Sequence, residues 1–163
     1  CPLYRRAALE DVNVVGEYFD NDFFMYKEDV DMSWRMRLAG WKAFYEPSAI
    51  AWHGRGTGVL ARSTMWQVAK NRSGLSKFQK YHSYKNERWM RVKNELWGNA
   101  ARDFLHILWR EILMFGWMLL REPYLWKSFA EFLRGLPKAL RKRRWIMKKR
   151  RVGAVEMRRW FGR

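Results

Sequence analysis

Three carboxylates stand close together in the sequence, directly behind an aromatic run. Glu28, Asp29 and Asp31 follow the residues Phe-Phe-Met-Tyr-Lys at 23–27. A carboxylate in aromatic, partly desolvated surroundings can take a proton from a hydroxyl group or bind a cation. A plainer interpretation is that acids in a first turn only stabilise the helix N-terminus, by roughly some tenths of a kcal/mol each. Three acids within four positions exceed what that role requires, so we favour a functional interpretation.

The elements around these acids predict an α/β arrangement. Residues 28–39 read as a helix that ends at Gly40, and residues 41–45 and 49–53 read as two strands separated by a turn. The second strand ends at His53, immediately before the glycine-rich stretch 54–58, which we interpret as a mobile active-site loop. A histidine in that position is well placed to face a cleft.

The rest of the chain predicts helices. Residues 104–120 form the most apolar stretch, but 17 residues with Arg110 and Glu111 at the centre are too short and too charged to span a bilayer. We expect this helix to lie in a membrane interface or against another helix. A further helix is predicted over 124–136, ending before Pro137.

Charge divides the chain into two zones. Residues 1–60 carry seven Lys and Arg against nine Asp and Glu, whereas residues 61–163 carry 26 against seven. Within the second zone, residues 138–151 hold nine Lys and Arg around Trp145. Such a segment is attracted to anionic lipid headgroups, and tryptophan favours the same interface.

The order of motifs in residues 3–56 resembles family 2 glycosyltransferases, most closely the rhamnosyltransferase-like and galactofuranosyltransferase-like members. The motifs are the acidic run, the Arg-containing helix, Gly40, Tyr45-Glu46-Pro47 and Trp52-His53. The resemblance spans roughly residues 3–56 and extends more loosely to Lys93 and Asn94. It implies the C-terminal half of a GT-A catalytic domain, and an inverting transfer from a nucleotide-diphosphate sugar. The implied fold is therefore an α/β half-domain followed by a mainly α-helical, basic, membrane-associating region.

The resemblance also implies roles for individual residues. Asp29 matches the general base, Glu28 precedes it in the same motif, and His53 matches a histidine that completes a divalent metal site, for Mn²⁺ or Mg²⁺. Further substrate-binding candidates lie around them and in the looser part of the match: Asp31, Trp52, Arg55, Lys85 and Asn86.

One departure from the family concerns the donor site. The paired-aspartate metal motif and the nucleotide-binding units of the family would precede Cys1, and no glycine-rich phosphate loop follows a strand. We therefore expect a piece of a longer protein that is catalytically incomplete. The single Cys excludes an internal disulfide and suits a reducing compartment.

These observations predict three segments. Residues 1–60 are the catalytic part, 61–99 a basic helical acceptor-side region, and 100–163 amphipathic helices with a polybasic tail. The expected partners are a nucleotide-diphosphate sugar, a glycan acceptor that is lipid-linked, and an anionic membrane surface at the cytoplasmic face of the cell membrane, where the protein is peripheral. The expected pathway is cell-surface polysaccharide synthesis.

Two alternatives stay open. The chain could be a non-catalytic membrane scaffold derived from a transferase, or a basic module that binds nucleic acid through its cations and aromatics. The apolar segment has no role in the second alternative, and no zinc-finger, RRM-like or helix-turn-helix signature accompanies the charge.

Overall fold

The structure is a computed structural model, and it describes residues 2–52, 72 and 74–160. Helices dominate this part of the chain, with single 3₁₀ turns at Asn21–Phe23 and Pro123–Leu125. The α-helices are α1 (Arg6–Asp11), α2 (Glu28–Leu38), α3 (Lys77–Asn94), α4 (Trp97–Arg102), α5 (Phe104–Arg121), α6 (Trp126–Lys149) and α7 (Ala154–Arg159).

The predicted α/β first third is wrong for the described residues. They contain no strand, and their β-type pairing is limited to an isolated antiparallel bridge between Val14 and Glu17. Residues 41–52, where two strands are predicted, have no regular structure, and Phe44 and Trp52 are 91% and 98% exposed. An isolated hairpin is marginal in water, and the described part of the chain offers these residues no neighbouring strand to pair with. The described residues are mainly α-helical and do not form half of a GT-A domain.

The helix that carries the acidic run is confirmed. α2 begins at Glu28 and ends at Leu38, and Gly40 follows with φ +85°, a conformation that favours glycine. The backbone N–H of Gly40 donates to Arg37 O at 3.0 Å and that of Trp41 to Met36 O at 2.9 Å. The C-terminus of α2 is therefore satisfied locally.

α3 and α6 pack against each other and form the centre of the fold. The indole Nε1 of Trp89 donates to the backbone carbonyl of Phe132 at 3.0 Å. Gly135 faces the same indole, and a Cβ at this position would overlap the Trp89 ring. The close approach of the two helices therefore depends on a residue without a side chain.

The predicted end of a helix before Pro137 is wrong. α6 continues through Pro137 to Lys149. Proline removes one backbone donor, but Pro137 lies on the exposed side of the helix, where water can satisfy the carbonyl left without a partner. The buried side, with Ala139 and Ile146, packs on the core and outweighs the local cost.

The hydrophobic clusters combine distant parts of the chain. One contains Val14 and Leu38 with Leu96, Ile146 and Val152, and so draws on all three predicted segments. The boundaries of those segments stay a prediction. Among the described residues, no helix is both long enough and apolar enough to cross a bilayer.

Candidate active site

The acidic run is divided by the geometry of α2. Asp29 is exposed, whereas Asp31, two positions later, is completely buried. Side chains two positions apart on a helix point in nearly opposite directions, about 200° apart. The Oδ1 of Asp29 accepts a hydrogen bond from the backbone N–H of Val30 at 2.8 Å, and the side chain as a whole is exposed to solvent. Asp29 is thus the acid of the run that a soluble hydroxyl group can reach.

Glu28 lies between these two environments. Its side chain is partly buried, and its Oε2 is buried without a hydrogen-bond partner among the described residues. Such atoms are uncommon, because an unsatisfied buried oxygen costs free energy. Glu28 Oε2 is therefore a candidate acceptor for a donor group on a bound ligand.

The loop before α2 has an unusual backbone. Phe24, Tyr26 and Lys27 have φ values of 60°, 69° and 72°, in the left-handed region that non-glycine residues rarely adopt. Each such residue costs on the order of 1 kcal/mol or more. Strain of this kind persists only where the surroundings impose it, and here it lies directly before the two acids.

Asn86 of α3 holds this strained loop. Its Nδ2 lies within hydrogen-bond distance of three loop carbonyls, those of Phe23 at 2.9 Å, Met25 at 2.8 Å and Tyr26 at 2.9 Å. The Asn86 side chain is completely buried. Because the loop leads directly into α2, this amide fixes where the helix begins and so where Asp29 lies.

Asp31 anchors the other side of α2. It accepts from Arg35 Nε at 3.0 Å and Asn94 Nδ2 at 2.7 Å, and it pairs with Lys93 Nζ at 2.9 Å. Arg35 in turn donates to the carbonyls of Val12 at 2.6 Å and Tyr18 at 2.5 Å. The i,i+4 pair between Asp31 and Arg35 belongs to a buried network that joins α2 to α3.

A second group of carboxylates is neutralised by lysines. Lys142 of α6 donates to Glu17 and Asp20 at 2.7 Å each and to Asp22 at 2.9 Å, and Lys93 also pairs with Asp20. Burial acts to raise the pKa of Asp20, but Lys93 and Lys142 outweigh it and hold that pKa far below its usual range. For Lys142, burial acts to lower the pKa, and its three carboxylate partners outweigh it, so the pKa is raised. Both groups are therefore charged at neutral pH.

These pairings bear on the expected metal. Among the described residues, no group of three or more His, Cys, Asp and Glu side chains is arranged to hold a metal ion. Glu17, Asp20 and Asp22 do converge, but they converge on an ammonium group. The described donors therefore do not fit a divalent ion, and the predicted ligand His53 lies outside the described residues.

The predicted substrate-binding residues that the structure describes lie in different surroundings. Arg55, like His53, lies outside the described residues, and Trp52 is exposed at the end of a described segment. Lys85 is buried, pairs with Glu131 at 2.6 Å and lies 4.7 Å from the centre of the Trp89 ring. Asp31 and Asn86 also bind other groups inside the protein. Lys85, Asp31 and Asn86 are therefore buried residues that stabilise the surroundings of Asp29. Their binding of a substrate stays a prediction.

Tyr4 is a neighbour of Asp29 that the sequence does not reveal. Burial raises the pKa of the Tyr4 phenol, a hydrogen bond with Ser33 acts to lower it, and the negative charge of Asp29 raises it further. Tyr4 therefore stays protonated at neutral pH and can donate a hydrogen bond beside the candidate base. No motif connects position 4 with position 29, because their electrostatic interaction arises only from the tertiary fold.

The anchoring residues of α3 do leave a signal in the sequence. Polar and apolar residues alternate with helical spacing along one buried face, which consists of Lys85, Asn86, Trp89, Met90, Lys93 and Asn94. Cations and amides repeated on a face that also carries Trp and Met indicate buried polar partners elsewhere in the chain. The partner of Lys85 is Glu131, and the partners of Asn86, Lys93 and Asn94 are acids and loop carbonyls between positions 20 and 31.

Comparisons with known proteins give a partial match. The chain is 45% identical, over 53 residues, to N-acetylglucosaminyl-diphospho-decaprenol L-rhamnosyltransferase of Mycobacterium tuberculosis, in strains CDC 1551 / Oshkosh and ATCC 25618 / H37Rv. The match covers 32% of this chain and 16% of the length of each relative. No family model and no solved structure matches the chain. Over this stretch, the chain is similar to a glycosyltransferase.

Proposed function

We propose that the chain is part of an inverting glycosyltransferase and that Asp29 is its general base. The observation that carries the proposal is an exposed carboxylate on a helix that a strained loop and two buried networks hold in place. Catalysis by a positioned base requires such a combination of access and rigidity. The 53-residue similarity to a rhamnosyltransferase supports sugar transfer as the reaction.

The proposed chemistry is a single displacement. The hydroxyl oxygen of the acceptor attacks the anomeric carbon of a nucleotide-diphosphate sugar, and its proton passes to the Asp29 carboxylate. The new bond joins the acceptor oxygen to the anomeric carbon, and the bond to the nucleoside diphosphate breaks. Attack from the face opposite the leaving group inverts the configuration at that carbon.

Neighbouring side chains have supporting roles in this proposal. Glu28 Oε2, which has no partner among the described residues, would accept a hydrogen bond from a sugar or acceptor hydroxyl group. Tyr4 would donate one near Asp29. Asn86, Lys93 and Asn94 act as positioning residues, because each contacts the loop before α2 or α2 itself rather than the open surface.

Metal dependence is a separate proposal. The resemblance implies that His53 helps to hold Mn²⁺ or Mg²⁺, which would neutralise charge on the leaving diphosphate. The described carboxylates do not supply the remaining ligands, so the steps above involve only the residues of this chain. Loss of transfer on chelation, restored by Mn²⁺ or Mg²⁺, would support the proposal, and an unchanged rate would contradict it.

The acceptor and the location are also proposals. We propose a lipid-linked glycan acceptor and a peripheral position at the cytoplasmic face of the cell membrane, in cell-surface polysaccharide synthesis. The exposed apolar surface of α5 and the cationic C-terminal third support this location.

Asp29→Asn, made in the complete transferase of which this chain is proposed to be a part, tests the proposed function. The change preserves the size of the side chain and removes its basicity, so we expect transfer to fall by about 10²- to 10⁴-fold. The thermal unfolding temperature should stay the same, because Asp29 is exposed. Glu156→Gln is a matched control, since Glu156 is an exposed acid in the first turn of α7. Equal transfer by both variants would overturn the assignment of Asp29.

A further inference from the structure

α5 directs its charged residues toward another helix and exposes its apolar residues. The charged residues at its centre face α3, where Arg110 pairs with Glu87 at 2.7 Å and Glu111 pairs with Arg88. An ordinary surface helix presents its charges to water and its apolar residues to the core. In α5 the ion pairs lie between helices, and the apolar side chains are left outside.

The outer face of α5 is apolar along its whole length. Leu120, Leu105, Trp109 and Ile112 are 83%, 75%, 63% and 53% exposed. The face consists of Leu105, Leu108, Trp109, Ile112, Leu113, Gly116, Leu119 and Leu120, and contains no charged residue. An 18-residue helix is about 27 Å long, so the face forms a continuous strip. A strip of this kind marks an interaction surface rather than scattered exposed side chains.

The charges at the margins of the strip indicate the occupant. Arg102 precedes α5, Arg121 ends it and Lys127 follows it, and all three are exposed. Trp126 packs edge-on against Phe115 of α5, with ring centres 5.4 Å apart, and so adds an indole beside the same helix. Apolar side chains in the centre, with cations and tryptophan at the edges, match the layers of an anionic membrane surface.

The polybasic segment contributes less than its composition indicates. Of the nine Lys and Arg at positions 138–151, five contact protein acceptors or rings: Lys138, Lys142, Arg143, Lys149 and Arg151. The exposed remainder is Arg141, Arg144, Lys148 and Arg150. Attraction by these cations is screened by salt, whereas burial of the α5 strip is not.

We infer that the outer face of α5 is the membrane-docking surface of this protein, and that α5 lies in the plane of an anionic lipid interface with Trp109 and Ile112 among the acyl chains. The biological role of this surface rests on the proposed function, because the surface would bring the transferase to a lipid-linked acceptor. The binding itself does not require catalysis.

Flotation with lipid vesicles tests this surface. The chain is mixed with vesicles of phosphatidylcholine containing phosphatidylglycerol, at low salt and at about 0.5 M salt, where the screening length is only a few Å. We expect binding to persist at high salt. Ile112→Glu and Trp109→Glu should each lower the partition coefficient by about tenfold or more, because a charge replaces a buried apolar side chain. Phe44→Glu is the control, since Phe44 is 91% exposed outside the helices.

Three results would overturn the inference. They are unchanged flotation of both α5 variants, complete release at high salt, and self-association that Ile112→Glu abolishes in a chain that does not float. Circular dichroism and thermal unfolding verify that each variant is folded. Asp29→Asn separates this inference from the proposed function, because it should float like the unaltered chain. Transfer to a detergent-dissolved acceptor by Ile112→Glu in the complete transferase would leave the catalytic proposal standing even if the docking surface failed.

Discussion

Asn86→Ala is the sharpest test of how the fold positions Asp29. The amide of Asn86 is completely buried, and its Nδ2 lies 2.8 to 2.9 Å from three carbonyls of the loop that precedes α2. Two N–H hydrogens can make about two full bonds, and a buried acceptor left without its donor costs about 1–3 kcal/mol. We therefore expect the free energy of unfolding to fall by about 2–6 kcal/mol.

The loss of stability in Asn86→Ala should be concentrated in the loop before α2 and in the first turn of that helix. Phe24, Tyr26 and Lys27 keep their left-handed backbone only while the amide holds the loop, so its removal lets them relax. Amide hydrogen exchange should then accelerate in the first turn of α2 more than in α3 or α6. If Asp29 is the base, transfer should fall as well, through kcat rather than through donor KM.

The matched control is Asn99→Ala in α4. Asn99 is also a buried amide, and its Oδ1, like that of Asn86, has no partner among the described residues. Unlike Asn86, it does not hold the carbonyls of the loop before α2, so its removal should cost about 1 kcal/mol or less. Urea denaturation gives both free energies. A cost for Asn86→Ala no greater than that for Asn99→Ala, with unchanged exchange at the start of α2, would refute the reasoning.

Two further predictions concern the core. Gly135→Ala would place a methyl group in the Trp89 ring, so we expect the free energy of unfolding, measured by urea denaturation, to fall by about 1–3 kcal/mol. Gly153→Ala is the control and should cost much less, because no atom lies within 4 Å of the added Cβ. Equal losses would contradict the close approach of α3 and α6. Stability should also depend on pH through Asp20, whose lowered pKa in the folded state makes its contribution complete above the unfolded value near 4 and progressively lost as the pH falls further. Asp20→Asn should flatten this acid limb of the stability curve, and an acid limb identical to that of the unaltered chain would argue against it.

The sequence predicts a helix correctly where local signals determine its position. The helix over 28–39 with its glycine end corresponds to α2, and the apolar stretch 104–120 corresponds to α5, because their start signals, length and composition are local. The two predicted strands are wrong for the described residues, because local composition alone cannot supply a pairing partner. The helix end at Pro137 is wrong because packing of α6 on α3 outweighs one missing hydrogen bond.

The candidate site shows the same division between local and long-range information. Asp29 stands out in the sequence because it belongs to a dense acidic run, and its exposure is consistent with the predicted role. Lys85 and Asn86 also stand out, but the structure places them behind the site, where they contact Glu131 and loop carbonyls. The spacing of residues in the sequence identifies the polar candidates. Only the tertiary contacts distinguish an exposed acid such as Asp29 from a buried one such as Asp31.

The most direct test of the central claim is the turnover number of Asp29→Asn in the complete transferase at saturating donor and acceptor, measured together with donor binding. A carboxylate that receives the acceptor proton predicts that kcat falls by about two orders of magnitude or more while donor affinity stays the same. A kcat within about threefold of the unaltered protein, a difference below 1 kcal/mol in the barrier, would contradict the claim that Asp29 is the base.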